Sequence, residues 1–132
     1  MQKEWEMRND ARENAFKLIF ESLFHKLDAA LSQENLTPLA KQEEKDFCQQ
    51  IISAFEEHKD EVKEMIEAHL KNYEYSRVFK IDLALIYVAV CEILYCKTPK
   101  AVAINETLEL AKKYSTEKSS KFINGIVSAI TK

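Results

Sequence analysis

The hydrophobic pattern of the chain is dominated by one apolar run, which occupies residues 83–91 within the segment 81–95. Asp82 and Glu92 are the only charged residues of this segment, and the segment has no polar face. A helix that is apolar all round must be buried on all sides, and this run is shorter than the roughly 20 residues that span a bilayer. A strand is the rival interpretation, but strands usually hold about 4–8 residues. The pattern predicts a central helix surrounded by other helices.

Amphipathic periodicity predicts a first helix over residues 8–27. Its apolar residues recur at steps of three and four, as expected for one buried helical face. Arg8, Arg12 and Lys17 stand off that stripe, so we expect them to face solvent. The pattern is lost over residues 28–36, which are predicted to form a connection.

Two further helices are predicted before the central one. Thr37-Pro38 has the form of an N-cap followed by proline in the first helical position, and the helix that it would open ends near Glu57. Residues 58–71 predict a third helix, and residues 72–80 a short link.

The C-terminal part of the chain predicts two more helices. Lys97-Thr98-Pro99 interrupts the chain before a helix over residues 101–114. Ser115-Thr116 is then a cap signal. The last helix follows this cap, with apolar residues along one side.

Four residues in these last two helices are unexpected at helical positions. Asn105, Glu106 and Asn124 are polar residues inside mostly apolar helices, and we expect them to hydrogen-bond to neighbouring elements and fix the packing. Gly125 is the only glycine in the chain. A glycine inside a helix costs about 1 kcal/mol relative to alanine, so a neighbouring helix is expected to approach its backbone too closely for a side chain.

Composition supports a single all-α domain. The chain has 132 residues with one Gly and two Pro, whereas all-β folds need many turn residues. Residues 1–7 hold no apolar signal-peptide core and the three cysteines are an odd number, which predicts a reduced, cytoplasmic protein. The histidines and cysteines lack paired ligand spacing, so no metal site is expected.

Charge is distributed unevenly along the chain. The net charge is −3, but residues 97–132 hold seven Lys against three Glu. This basic quarter is a candidate anion-facing surface. Within it, Lys121 could meet a phosphate while Phe122 stacks on a base. A solvated helix end with Phe122 in the core is an equally open interpretation.

Catalytic motifs are missing from the sequence. One glycine cannot build a phosphate-cradling loop, and no Gly-x-Ser-x-Gly motif occurs. The adjacent acidic pair Glu56-Glu57 points in different directions on a helix, which is typical of a solvated face. We therefore expect a protein that is not an enzyme, with no catalytic residue and no cofactor.

Three motifs stand out in the C-terminal third, namely Ala-Ile-Asn-Glu at 103–106, Glu-Leu-Ala-Lys at 109–112 and Lys-Phe-Ile-Asn-Gly-Ile-Val at 121–127. With these motifs, this part of the chain closely resembles the NusB family of bacterial transcription antitermination factors. The resemblance implies one domain over residues 1–132, with about seven helices in two sub-bundles around the buried central helix. It also implies binding to single-stranded boxA RNA of ribosomal RNA operon leaders, together with NusE, a small-subunit ribosomal protein. The pair would help RNA polymerase read through terminators.

The resemblance also assigns roles to individual residues. An arginine stretch opens the first helix of the family, and here Asn9 replaces one of its arginines. Phosphate contacts are implied for Arg8, Arg12, Lys118 and Lys121, and a base contact for Phe122. Contacts with NusE are implied for Phe20 and Asp82.

Two alternatives stand beside this interpretation. The depleted arginine stretch is compatible with a NusB-like protein-interaction module whose RNA binding is weak or lost, because each missing phosphate contact weakens binding. The other is an RNA-modifying enzyme, since NusB-like domains also occur fused to RNA methyltransferases. The chain has no glycine-rich cofactor motif up to Lys132, which disfavours the enzyme.

Overall fold

The computed structural model describes residues 8–24, 36–71 and 74–132. These ranges contain five α-helices, one 3-10 turn and no strand, which confirms the all-α class; about seven helices were expected. The elements are α1 (Asn9–Ser22), α2 (Gln42–His69), a 3-10 turn (Tyr75–Arg77), α3 (Lys80–Tyr95), α4 (Lys100–Tyr114) and α5 (Glu117–Ile130).

Helix α3 is the centre of the fold, as predicted. Every residue from Asp82 to Glu92 is buried. The other four helices all pack against it. The apolar run therefore has a neighbour on each side and exposes no face to water. Among the helices of the described ranges, none is long and apolar enough to cross a membrane.

Helix α2 is one continuous helix of 28 residues where two helices were predicted. Residues 42–69 contain neither glycine nor proline, so nothing forces a break near Glu57. At 1.5 Å per residue the helix is about 42 Å long. One side of it is buried along most of this length. The buried residues on this side are Phe47, Cys48, Ile51, Ala54, Phe55, Val62 and Ile66.

The predicted helix start at Thr37-Pro38 is wrong, because Asn14 holds this segment outside the helix. The side-chain Nδ2 of Asn14 donates to the Thr37 carbonyl at 2.7 Å, and its Oδ1 accepts from the Thr37 amide at 2.9 Å. Both backbone groups of Thr37 are therefore occupied by a buried amide on α1. Helix α2 begins only at Gln42.

A buried ion pair joins α1 to α3. Arg12 Nε donates to Glu92 Oε2 at 2.6 Å, and Nη2 donates to Oε1 at 2.6 Å. Both residues are 0% exposed. Arg12 Nη1 also donates to Asn9 Oδ1 at 2.8 Å. Thr98 donates to Glu92 through its hydroxyl at 3.2 Å and through its amide, to the carbonyl, at 3.0 Å. The cluster thus connects α1, α3 and the turn before α4.

The expectation that Arg12 faces solvent is wrong for a physical reason. A carboxylate buried as deeply as Glu92 needs a partner, because an unpaired charge in the core is strongly unfavourable. The planar guanidinium of Arg12 matches a carboxylate with two parallel hydrogen bonds. Periodicity placed Arg12 off the apolar stripe, but the ion pair with Glu92 holds the Arg12 side chain in the core.

Tyr87 links α3 to α2 and to the 3-10 turn. Its ring meets Phe55 edge-on, with 5.0 Å between the ring centroids. Its hydroxyl lies 2.7 Å from the hydroxyl of Tyr75. Burial raises the pKa of Tyr87, so the phenol stays neutral and acts as a hydrogen-bonding group inside the core.

Removing Arg12 should destabilise the fold severely. We expect Arg12→Ala to lower the free energy of unfolding by roughly 3–5 kcal/mol, because it leaves the Glu92 charge buried and unpaired. Urea denaturation followed by circular dichroism measures this change.

Lys112→Ala is the matched control for Arg12→Ala. It removes an exposed ion pair with Glu109 at 3.2 Å, and pairs of this kind contribute about 0–1 kcal/mol. Arg12→Met combined with Glu92→Leu should recover much of the loss, because no unpaired charge remains. An Arg12→Ala variant as stable as Lys112→Ala would contradict the structural role of Arg12.

Candidate nucleic-acid interface

The start of α5 is fixed by its own cap. Thr116 is the N-cap residue, and its hydroxyl accepts from the Ser119 amide at 3.1 Å, which confirms the cap signal in the sequence. Lys118 projects from the first turn and is exposed, whereas Ser119 is buried. The first amides of a helix have no partner inside it and attract anions. This helix end therefore carries a lysine beside amides that favour negative charge.

Asp82 ties this helix end to the central helix. Its Oδ1 accepts from Ser115 Oγ at 2.8 Å and its Oδ2 from Ser119 Oγ at 2.9 Å. The residue is 4% exposed. Both carboxylate oxygens are engaged inside the molecule, and the expectation that Asp82 also contacts a protein partner stays a prediction. Its role is to hold α5 against α3.

An open groove of about 840 Å³ lies beside this contact. One wall comes from the link before α3 and the other from the first turns of α5, with Asp82 and Ser119 between them. Arg77 and Lys118 are exposed at its rim, together with the carboxylate of Glu117. The full lining is Arg77, Val78, Phe79, Asp82, Thr116, Glu117, Lys118, Ser119 and Phe122.

A second groove of about 430 Å³ continues along α5 and shares Phe122 with the first. It runs between α5 and the end of α2, and Lys71 and Lys121 are exposed along it. Its lining is His69, Leu70, Lys71, Lys121, Phe122, Gly125, Ile126 and Ala129. We call the two together the α5 groove. It brings together three of the residues predicted to contact RNA, namely Lys118, Lys121 and Phe122.

Three residues of the α5 groove were missed by sequence reasoning. Lys71, Arg77 and Phe79 belong to the segment between α2 and α3, which was predicted as a helix end and a link. Nothing in the linear pattern connects this segment to α5. The one available signal was Phe79, a large apolar residue at the edge of a polar segment, and it is 68% exposed.

The predicted packing role of Gly125 is wrong. A Cβ atom built on Gly125 would meet nothing within 4 Å, so no helix approaches it closely. Gly125 is exposed in the α5 groove. Its effect is to leave the floor of the groove free of side-chain atoms beside Phe122.

The predicted packing role of the polar residues Asn105, Glu106 and Asn124 is wrong as well. Asn124 is exposed, and its Oδ1 accepts only from Ser128 Oγ one turn later, at 3.2 Å. Asn105 is exposed and Glu106 is half-buried, and neither side chain hydrogen-bonds to another residue of the described ranges. These positions face outward because the buried side of α4 is supplied by its alanines and Thr107.

The predicted arginines lie apart from the α5 groove. Arg12 is paired with Glu92, whereas the groove adjoins Asp82, and ten residues of helix separate these acids by about 15 Å. Arg8 is half-buried, with its guanidinium 4.7 Å from the Phe47 ring centroid. The arginine stretch and the α5 groove are therefore two separate regions of the surface.

Phe20 lies in an aromatic cluster at the end of α1. Its ring meets Phe24 edge-on at 5.0 Å and lies 6.2 Å from Phe16, measured between ring centroids. Phe20 is half-buried and Phe24 is exposed. This arrangement leaves Phe20 partly accessible from outside, as the implied protein contact requires.

Glu13 joins α1 to the end of α4. Lys113 Nζ donates to Glu13 Oε2 at 2.8 Å, and the Tyr114 hydroxyl donates to the same oxygen. Burial alone would raise the pKa of Glu13, but the hydrogen bonds from Lys113 and Tyr114 outweigh it. The pKa of Glu13 therefore lies below its ordinary value of 4.5.

The thiols of the described residues are poor nucleophiles. Burial raises the pKa of Cys48 to about 11, of Cys91 to about 12 and of Cys96 to about 11. Thiols with such pKa values are protonated at neutral pH and neither attack nor bind metal readily. Within the described ranges, no group of three His, Cys, Asp or Glu side chains is arranged to hold a metal ion.

The lowered pKa of Glu13 predicts an acid-sensitive contribution to stability. Because the folded pKa lies below the unfolded one, the contribution is fully present above the unfolded pKa and is lost as pH falls through the folded pKa. Glu13→Gln should flatten the decline of the unfolding free energy below about pH 4.5. Urea titrations between neutral pH and pH 3 measure this, with Glu109→Gln as the exposed control. Equal declines for wild type and Glu13→Gln would exclude this contribution.

One known protein family matches nearly the whole of the described chain. The family model described as the NusB family matches residues 9–132. The transcription antitermination protein NusB of Finegoldia magna is 38% identical over 131 residues, covering 95% of this chain and 93% of that protein.

Solved structures give the same result for the fold. The structure of T. maritima NusB superposes with a TM-score of 0.83 at 29% identity, covering 94% of this chain and 89% of that chain. A crystal structure of the antitermination factors NusB and NusE in complex with double-stranded RNA superposes with a TM-score of 0.82 at 22% identity, covering 96% of each chain.

Proposed function

The chain belongs to the NusB family, and we propose on this basis that it is a cytoplasmic transcription antitermination factor consisting of a single domain. It binds boxA-type single-stranded RNA together with NusE and acts within the antitermination complex of RNA polymerase. It works by binding, without a catalytic step. Relatives that match this chain over most of its length are transcription antitermination proteins NusB, which supports the proposal.

The observation that carries the RNA part is the composition of the α5 groove. Two exposed lysines, Lys118 and Lys121, and the half-buried Phe122 lie along one side of α5. Single-stranded RNA is typically bound by cations that meet phosphates and by aromatic rings that stack on unpaired bases. The groove offers both within two turns of one helix.

The two N-terminal arginines have different roles in this proposal. Arg12 is a positioning residue, because a phosphate contact would require it to leave the buried Glu92 carboxylate unpaired. Arg8 is half-buried at the surface and is a candidate phosphate contact outside the α5 groove. Phosphate contacts fix the position of the RNA and do not read its sequence.

NusE is proposed to bind at the aromatic cluster that ends α1. Phe20 and Phe24 offer a partly exposed aromatic surface, and aromatic residues are enriched in the buried centres of protein interfaces. A similar NusB forms a complex with NusE and double-stranded RNA, which supports a shared assembly. Asp82 contributes indirectly, by holding α5 in place.

The salt dependence of RNA binding tests the role of the two lysines. Lys118→Glu and Lys121→Glu should each weaken binding of boxA-type RNA, measured by gel shift with NusE present. Each lost phosphate contact should also reduce the slope of log affinity against log salt by about 0.7, the value for single strands.

Lys112→Glu is the matched control, because Lys112 is also exposed, on α4, but does not line the groove. It changes net charge by the same amount and should leave the salt slope near that of wild type. Binding that is equally tight for boxA-type and scrambled RNA, with or without NusE, would contradict the proposal.

The burial of Arg12 supports a second candidate, a NusB-like protein-interaction module with weak or lost RNA binding. With Arg12 in the core, the N-terminal stretch offers Arg8 as its one remaining arginine. This candidate predicts that wild type and Lys118→Glu bind NusE equally, and that neither prefers boxA-type RNA.

A further inference from the structure

Phe79 is the most exposed large apolar side chain in the described ranges, at 68%. It is the residue directly before α3, and it lines the same groove as Phe122. We propose that Phe79 and Phe122 form a two-ring clamp for one unpaired RNA base, with Arg77 and Lys118 contacting the flanking phosphates. This inference rests on the proposed function and names how its groove would hold RNA.

The backbone that carries Phe79 is anchored on both sides. The Phe79 carbonyl accepts from the Leu83 amide at 2.9 Å, and the amide of the buried Val78 donates to the Tyr75 carbonyl at 3.1 Å. The backbone that carries the ring is therefore held in place. A backbone that is already ordered needs little further ordering when a ligand binds, which preserves affinity.

The opposite wall is fixed relative to Phe79 by Asp82. This residue lies one turn after Phe79 on α3, and its carboxylate holds the serines at the start of α5. Phe122 lies one turn further along α5, on the same side of the groove as Lys118. The separation between the two backbone segments that carry the rings is thus set by a buried hydrogen-bonded contact.

The surroundings of the rings favour a nucleotide over an apolar peptide. The groove of about 840 Å³ is within the range of about 300–1,000 Å³ usual for small-ligand sites. Arg77 and Lys118 place two cations at its rim, and the first amides of α5 add to them. Glu117 opposes this charge, whereas the Asp82 carboxylate is already engaged by two hydroxyls. An apolar peptide would gain nothing from the cations.

Stacking between the two rings should bind an RNA base with little preference for which base it is. Every base has a π face, so an aromatic clamp tolerates base changes and requires only that a base be present. At the clamped nucleotide, a change of base should have little effect on affinity, whereas an abasic site should weaken binding. Sequence reading would then depend on other contacts.

The test compares three substitutions by fluorescence anisotropy of boxA-type RNA with NusE present. Phe79→Ala should weaken binding roughly 5- to 150-fold, the range for loss of one stacked base. The salt slope should not change, because no charge is removed. Phe79→Trp should bind at least as tightly as wild type. Phe79→Leu should lose affinity although it keeps an apolar side chain.

Leu94→Ala is the control, since Leu94 is 40% exposed on α3 and outside the groove. Scanning the RNA with single abasic sites should identify one position whose loss weakens wild type but has no further effect on Phe79→Ala, as expected for directly interacting groups. Urea denaturation should show all variants folded, because Phe79 contributes little buried area.

Each other outcome overturns a different statement. If Phe79→Ala, Phe79→Leu and Leu94→Ala all bind RNA like wild type, the clamp is wrong and the proposed function stands. If Phe79→Ala weakens NusE binding measured without RNA, the groove is a protein-docking surface and the clamp is wrong. If wild type shows no preference for boxA-type RNA with NusE, the proposed function itself fails.

Discussion

The ion pair between Arg12 and Glu92 is the contact on which the arrangement of helices depends. Glu92 lies at the end of a helix that is buried on all sides, where an unpaired carboxylate would be strongly unfavourable. Arg12 supplies two hydrogen bonds of 2.6 Å, and Thr98 adds to them. The hydrogen bonds that pair this one buried charge thereby fix α1, α3 and the turn into α4 relative to one another.

The central helix uses its two acids in the same way at its two ends. Glu92 binds the start of α1, and Asp82 binds the serines that open α5. The candidate RNA surface is a consequence of the second contact, which fixes the distance between the segment carrying Phe79 and the helix carrying Lys118 and Phe122. Asp82 and Glu92, which flank the apolar run, are thus structural, and the candidate RNA-binding residues lie on elements that these two acids position.

Periodicity and composition predicted the class of fold and part of the site. The buried central helix, the Thr116 cap and the pairing of Lys121 with Phe122 follow from local patterns, whereas Lys118 was assigned by the family resemblance. The contacts that were missed depend on residues far apart in the chain. Arg12 is turned inward by Glu92, 80 residues away, and Thr37 is held out of a helix by Asn14. Gly125 was expected in a close helix contact, but a lone glycine in a helix indicates only that a side chain is absent. Phe79 and Lys118 line the same groove, although their positions in the sequence follow no common periodicity.

Photo-crosslinking tests the central claim, that the bases of the RNA lie in the α5 groove and not on the N-terminal arginine stretch. BoxA-type RNA carrying 5-iodouridine at successive positions would be irradiated in complex with this protein and NusE, and the crosslinked peptides identified by mass spectrometry. The account predicts crosslinks at Phe122 and Phe79 from one or two adjacent positions. Crosslinks confined to α2 or to the peptide containing Arg8 and Arg12 would contradict it.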